Sequence, residues 1–414
     1  MTIILFSLSL AAGCMAPDGN AQPEGSTAID IRTATATAEP SVTPTAAPIP
    51  TLIPQPTGTI TPTPLPTATP LIRDFEPVSE GIWISPEELS ALPMEGRAWE
   101  RLEAAADGAF DVPNMAGYTS NHDVQTLAAA LVYARSGEET YREKVGMAIR
   151  GLMGTEFTGL QDGPGSEQGA LALIVGRNLV SYVIAADLID LSQYDAQLDD
   201  EFRAWIEGLV RYEWADGSLI SEDELRANTR GRMAGASRAA VAAYLGNEDE
   251  LRRAATVFRG YLGDRETYTG FRFDQDLSWQ ADPAQPAGVN PAGATKEGFS
   301  IDGALPEDMR RGCSFQIPPC HTDSPWESLQ GIVVEANILH RQGFDAWHWQ
   351  DQAILRAAQF LDTLQQEYPD EDWWAEGDDT WIPWVINQAY DADFPTDEAS
   401  VGKNMSWTDW THAP

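Results

Sequence analysis

Leu131-Val132-Tyr133-Ala134-Arg135-Ser136-Gly137 decides how this chain is read, because its form returns twice, as Val241-Ala242-Ala243-Tyr244-Leu245-Gly246 and as Ile338-Leu339-His340-Arg341-Gln342-Gly343. Each stretch ends an apolar helical run on a glycine, the residue that most readily takes the left-handed turn beyond a helix C-terminus. Each is followed within a few residues by a second helix that starts on acidic residues, which makes an αα-hairpin. A hairpin alone leaves its apolar face exposed. Repeated hairpins bury that face by stacking into a solenoid or closing into a ring.

Working outward, Ser85-Pro86-Glu87-Glu88 spells a capping box with proline at the first helical position. After Asn121, the residues Val124, Leu127, Ala128, Leu131 and Val132 recur at helical spacing. Further helices are predicted from about Ser166 to Leu191, Asp199 to Tyr212, Met233 to Leu245, Asn247 to Leu262, Trp326 to Gln342, Trp349 to Tyr368 and Thr380 to Tyr390. Little in the chain alternates like a strand. Asp264 to Pro325 breaks the rhythm with Gly, Pro and aromatic residues, and so long an irregular insertion usually carries function. The expectation is an all-α domain over 73–414, more than half helical, with its hairpins around one cleft.

The N-terminal region reads differently. Ile3 to Ala12 is apolar but too short to span a bilayer, and it ends in Ala11-Ala12-Gly13-Cys14. That pattern reads as a lipoprotein signal over 1–14 with Cys14 as the lipidated residue; a buried helix carrying an incidental cysteine is the alternative. Residues 15–72 are rich in Thr, Pro and Ala, as in Pro62-Thr63-Pro64-Leu65-Pro66, and offer no apolar face that would offset the entropy of ordering. They read as a disordered stalk, either bare or glycosylated. The protein is therefore expected outside the cytoplasm, secreted or anchored at the cell envelope, and touching a membrane only through the lipid. No other hydrophobic run reaches membrane length. In an exported chain, Cys313 and Cys320, with six residues between them, are expected to form a local disulfide.

Charge excludes whole classes of partner. The chain holds 63 acidic residues against 26 basic ones, a net charge of −37, which argues against nucleic acid and against docking onto anionic lipid. It would also repel a polyuronate, except where arginines gather. There is no glycine-rich phosphate loop and no His/Cys cluster at ligand spacing, so neither a cofactor nor a metal is expected, and the domain reads as a monomer.

The insertion carries a resemblance. Asp302-Gly303-Ala304-Leu305-Pro306-Glu307-Asp308-Met309-Arg310-Arg311-Gly312 resembles the alginate-lyase pattern in which DG-x-LP-x-E is followed by an arginine-glycine pair. Asn228-Thr229-Arg230-Gly231-Arg232-Met233-Ala234-Gly235-Ala236-Ser237-Arg238 is similar to that family's asparagine-rich helix start. Leu329 to Gly343, followed by Phe344-Asp345-Ala346-Trp347, is similar to its closing helix. With Gly176-Arg177-Asn178 the likeness covers roughly residues 120 to 365.

The resemblance implies an (α/α) toroid, an incomplete α/α barrel of helical hairpins with an irregular insertion. It further implies cofactor-free β-elimination from a uronate polysaccharide. That reaction needs a donor to neutralise the substrate carboxylate, a base for the adjacent C–H and an acid for the departing oxygen. Asn228 and Arg311 stand at the family's asparagine and arginine. His321, beyond the Cys313–Cys320 loop, is the candidate base, with Tyr118 or Tyr268 as acid. Arg230, Arg232, Arg310, His122, Asn178 and Trp326 are the candidate substrate contacts. The chain departs from the family at Thr229 and Arg230, where a second asparagine and a histidine are expected, and at the cysteine loop, where a Tyr-His pair is expected.

Each candidate also has a plainer reading. Asn228 suits a helix cap. Arg310 and Arg311 suit surface pairing with Glu307 and Asp308. His122 beside Asp123 suits a helix start, and Trp279, Trp326, Trp407 and Trp410 suit either sugar stacking or core. Two other functions compete: a glycoside hydrolase drawing its carboxylate pair from Asp302, Glu307 and Asp323, and a glycan-binding lipoprotein without catalysis.

Overall fold

Gly137 and Gly246 close helices in left-handed geometry, at φ 75° and 65°, and Gly343 follows the third at φ 94°. All three glycine turns read from the sequence are therefore present. The computed structural model describes residues 71–77, 81–155, 171–399 and 404–413. The expected signal, Cys14, the stalk up to position 70 and the start placed at Ser166 lie outside these residues.

In chain order the helices are α1 (Pro86–Ala91), α2 (Arg97–Asp107), α3 (His122–Ser136), α4 (Glu139–Met153), α5 (Leu171–Leu188), α6 (Leu191–Tyr194), α7 (Ala196–Val210), α8 (Leu219–Leu225), α9 (Thr229–Leu245) and α10 (Glu248–Tyr261). After the insertion come α11 (Pro306–Met309), α12 (Ser324–Arg341), α13 (Trp349–Glu367), α14 (Ile382–Tyr390) and α15 (Thr408–Thr411). Helix makes up 56% of the structure, and among the described residues the one sheet is a two-stranded hairpin, β1 (Thr295–Lys296) with β2 (Phe299–Ser300). Its two-residue turn, Glu297-Gly298, has positive φ at both positions, the geometry that matches strand twist. The Ser85 capping box forms in both directions: Ser85 Oγ accepts from Glu88 N at 3.1 Å and Glu88 Oε2 accepts from Ser85 N at 2.7 Å.

The helices sort by composition. α5 is apolar on all sides, and such a helix belongs inside. It has the length and composition of a membrane span, contrary to the expectation that no such run exists, yet 83% of it is buried in the protein. α9 is nearly as buried, but through small residues. A Cβ on Gly176 of α5 would meet Met233 and Ala234 backbone atoms at 3.0–3.2 Å, and one on Gly331 of α12 would meet Arg232 and Met233 backbone at 2.4–2.7 Å. Two glycines thus let α5 and α12 close on α9 from either side at one level.

α3 packs on α5, α5 on α9, α9 on α12 and α12 on α14, while α4, α7 and α10 lie against this row as flanking helices. α15 touches both α14 and α2, and α2 packs on α3. Residues 404–408 run among the row: Ser181 Oγ donates to Asn404 O (2.8 Å), Asn404 Nδ2 to Gln330 O (2.9 Å), and Trp407 Nε1 to Val124 O (3.2 Å). Each fully buried Leu or Val of this core, such as Leu127, Val183 or Leu339, contributes about 1.5–3 kcal/mol through its removal from water.

Buried charge holds α8, α9, α10 and α12 together. Arg232, fully buried, pairs with Asp223 and Glu335 at 3.0 Å each. Arg238 pairs with Asp223 (2.9 Å), Glu224 (3.0 Å) and Glu250 (2.6 Å), and Arg253 completes the set on Glu224 (2.8 Å). Buried acids of this kind must be matched by cations and donors, or the desolvation cost goes unrelieved.

Candidate functional site

The inner helices share a direction. Gly331 and Glu335 of α12 meet Arg232 and Gly235 of α9 in the same order, so these two helices are parallel. Residues 81–82 bond both Asp187 at the C-terminal end of α5 and Arg341 at that of α12. The N-termini of α5, α9 and α12 therefore lie at one end, where their unpaired N–H groups and macrodipoles favour anions.

Three connections gather at that end. Asn228 caps α9, its side chain accepting from Arg230 N at 3.1 Å. Thr229 next to it donates from N (3.3 Å) and Oγ1 (3.2 Å) to Asp308 Oδ1, while Ser328 Oγ of α12 donates to Asp308 Oδ2 (2.7 Å). Asp308 thereby ties the starts of α9 and α12 to the turn carrying Arg311. Burial pushes the Asp308 carboxyl up to about 6, against the pull of the Ser328 hydroxyl, Arg311 and Thr229. Cys313 and Cys320 are bonded, as expected, with Cα atoms 5.7 Å apart. Their loop folds back so that a Cβ on Gly312 would lie 2.4 Å from Cys320 O and 3.2 Å from His321 O, which brings the His321 backbone beside the residue following Arg311.

Opposite stands α5. Asn178 Nδ2 donates to Met115 O and Gly117 O at 3.2 Å each, and Arg177 Nη2 donates to Tyr118 O at 2.8 Å. The Arg177 guanidinium also stacks on the Tyr118 ring at 4.4 Å, a contact suited to its planar charge. Its Nε is buried with no hydrogen-bond partner among the described residues. Between the two sides lies half-buried Glu327 of α12. Burial raises its carboxyl above the usual range; Arg311 and Arg177 pull it down, while Asp378 and Asp323 push it up. Arg230 is half-buried and acts on Glu222, whose carboxyl is raised by burial and lowered by Arg226 and Arg230. Among the described residues, Arg177, Arg230 and Arg311 form no ion pair.

Asn228, Arg230, Arg311 and His321 thus belong to connected segments at one end of the row, whereas several other candidates do not serve there. Arg232 is core, its charge taken up by Asp223 and Glu335, so a substrate-binding role is corrected. Arg310 is held by Glu307 (3.0 Å) and Asp274 (3.3 Å). Asn178 spends its amide on the 115–117 backbone and is buried. His122 is buried with Nδ1 2.7 Å from Tyr182 Oη, and burial lowers it to about 4 despite Asp111. Trp326 is core, its Nε1 bonded to Trp373 O, and Trp279, Trp407 and Trp410 are buried as well.

Tyr268 donates to Glu224 O, and burial raises its phenol, which leaves Tyr118 as the accessible tyrosine of the two. His321 lies near Arg311 in backbone, but its Nε2 is 3.3 Å from Asp372 O and its ring is edge-on to Trp373. Of the carboxylates set aside for hydrolysis, Asp302 is bound by Arg356 (2.6 Å) and Glu307 by Arg310. Asp323 is exposed.

Two residues of this mouth were not put forward from sequence. Arg177 had a signal: it is the lone base in the apolar run Leu171–Leu188, and an interior charge needs a reason. Glu327 had none, since an acid in a first helical turn is ordinary. Compared with known proteins, the chain matches no family model, and no curated protein qualifies as a relative.

Proposed function

We propose that the chain is an exported polysaccharide lyase that cleaves a uronate-containing glycan by β-elimination at the N-terminal end of its inner helices. One observation carries this reading: in a protein of net charge −37, Arg177, Arg230 and Arg311 gather at one mouth without carboxylate partners. Among the described residues most other arginines form an ion pair with an acid, so cations without one near helix N-termini fit a ligand that brings its own negative charge. The sequence of contacts from α3 through α14, α15 and α2 back to α3 supports closure as an (α/α) toroid. The Cys313–Cys320 bond supports an oxidising compartment, in keeping with a lipid anchor at Cys14. Arg311, Arg177 and Asn228 hold the substrate carboxylate, and Tyr118 lines the mouth beside them.

A glycoside hydrolase is the second reading, favoured by the approach of Glu327 to Asp323 and Asp378. A screen of uronate and neutral glycans with the purified protein separates the two. The lyase gives a rise in ultraviolet absorbance from the unsaturated product; new reducing ends without that rise establish the hydrolase instead.

A further inference from the structure

The elimination needs a proton acceptor, and His321, the base put forward from sequence, is held against Asp372 and Trp373; His122 and Tyr268 are buried, and the Tyr118 ring is stacked under Arg177. Glu327 is free. Its side chain makes no hydrogen bond or ion pair among the described residues, although its neighbours on α12 are committed. Trp326 Nε1 bonds Trp373 O (2.9 Å), Ser328 Oγ bonds Asp308 (2.7 Å) and Gln330 Nε2 bonds Asp379 (2.6 Å). These bonds set the helix rotation. Ser328 and Gly331 face α9, Trp326 and Gln330 face 373–379, and at 3.6 residues per turn Glu327 falls between the two faces. It stands one turn beyond Gly331, and Gly331 lies level with Gly176, the residue before Arg177. Arg311 and Arg177 both act on it, as do Asp378 and Asp323.

We propose that Glu327 is the proton-transferring carboxylate of this cleft, acting on a uronate whose own carboxylate is held by Arg177 and Arg311. The inference rests on the lyase reading above. Glu327 takes the proton from C5 of the uronate, and the C5–H electron pair becomes the C4=C5 double bond. The C4–O4 bond breaks, its electrons leave on O4, and O4 receives the proton from the Glu327 carboxyl. No other reactant is consumed. The arginines neutralise the substrate carboxylate so that C5 is acidic, and a desolvated carboxylate more basic than an ordinary glutamate is the better acceptor.

The test uses the full chain, with Glu327→Gln and Glu327→Asp assayed by ultraviolet absorbance, reducing ends and thermal unfolding. Glu327→Gln keeps shape but cannot take a proton. It is expected to lower kcat by about 10²–10⁴-fold while KM stays within about threefold and unfolding is unchanged. Glu327→Asp is expected to keep part of the activity and to move the acidic limb of the kcat/KM profile, which a merely structural residue would not. An active lyase whose Glu327→Gln variant keeps full kcat overturns the proposal and leaves the lyase reading standing. Reducing ends without absorbance, abolished by Glu327→Gln, overturn the lyase reading and leave Glu327 as the proton-transfer group. Absence of any cleavage overturns both.

Discussion

Arg230 and Arg232 lie two positions apart at the start of α9, yet they belong to opposite settings. Two residues along a helix is a rotation of about 200°, so one side chain enters the core while the other stays at the mouth. Arg232, with Arg238 and Arg253, is closed in by Asp223, Glu224, Glu250 and Glu335 at 2.6–3.0 Å. Arg230, with Arg177 and Arg311, has no such acid. In the closed set the outcome divides: at Glu224, Arg253 and Arg238 outweigh burial and the carboxyl lies below its usual range, while at Asp223 and Glu335 burial holds the carboxyls above theirs even beside Arg232. In the open set burial likewise raises Asp308 and Glu327, so what separates the two sets is the ion pairs and not the direction of the carboxyl shifts. Matched charge does structural work, and unmatched charge is left for a partner.

The largest effect expected from this contrast is on stability. Arg232→Met leaves buried Glu335 without its cation and Asp223 with Arg238 alone, and should cost about 3–5 kcal/mol in denaturant unfolding. Arg230→Met should change unfolding by less than about 0.5 kcal/mol. Equal effects would erase the distinction.

Next comes a pH dependence. Burial holds the Asp308 carboxyl at about 6 in the fold against the ordinary aspartate value of 3.8, so the folded state keeps a proton that the unfolded chain has lost. Its contribution is fully present below about pH 4 and disappears as pH rises through about 6, a span of about 3 kcal/mol. Asp308→Asn should remove that component, making the difference in unfolding free energy between wild type and variant change by about this amount from pH 4 to 7. A difference that is constant with pH would show that burial does not raise the Asp308 carboxyl.

The smallest effect is on activity. Arg311→Ala should remove a charge-assisted contact worth about 1.5–3 kcal/mol, ten- to a hundred-fold in kcat/KM, with unfolding unchanged. Undiminished turnover of a uronate glycan by this variant would move Arg311 out of the site.

Much of the fold was legible because helix ends are written locally. Ser85 to Glu88 and the glycines at 137, 246 and 343 each act through their own neighbours, and the observed helices start and stop within a few residues of the expected positions. α9 begins at Thr229, earlier than Met233, because Asn228 supplies the cap. The site was legible only in part. Asn228, Arg230 and Arg311 are brought together by motif order, but the burial of Arg232, His122 and Trp326 depends on what α8, α5 and residues 373–374 place against them from far along the chain. Glu327 is singled out only by the rotation of α12, which the sequence does not state.

The path of residues 404–408 has a consequence for biosynthesis. Asn404 and Trp407 bond α3, α5 and α12, elements made as many as 283 positions earlier. A chain emerging from the ribosome can pair its hairpins as they appear, but the faces turned toward this segment wait for their partners until residues 404–408 have been made.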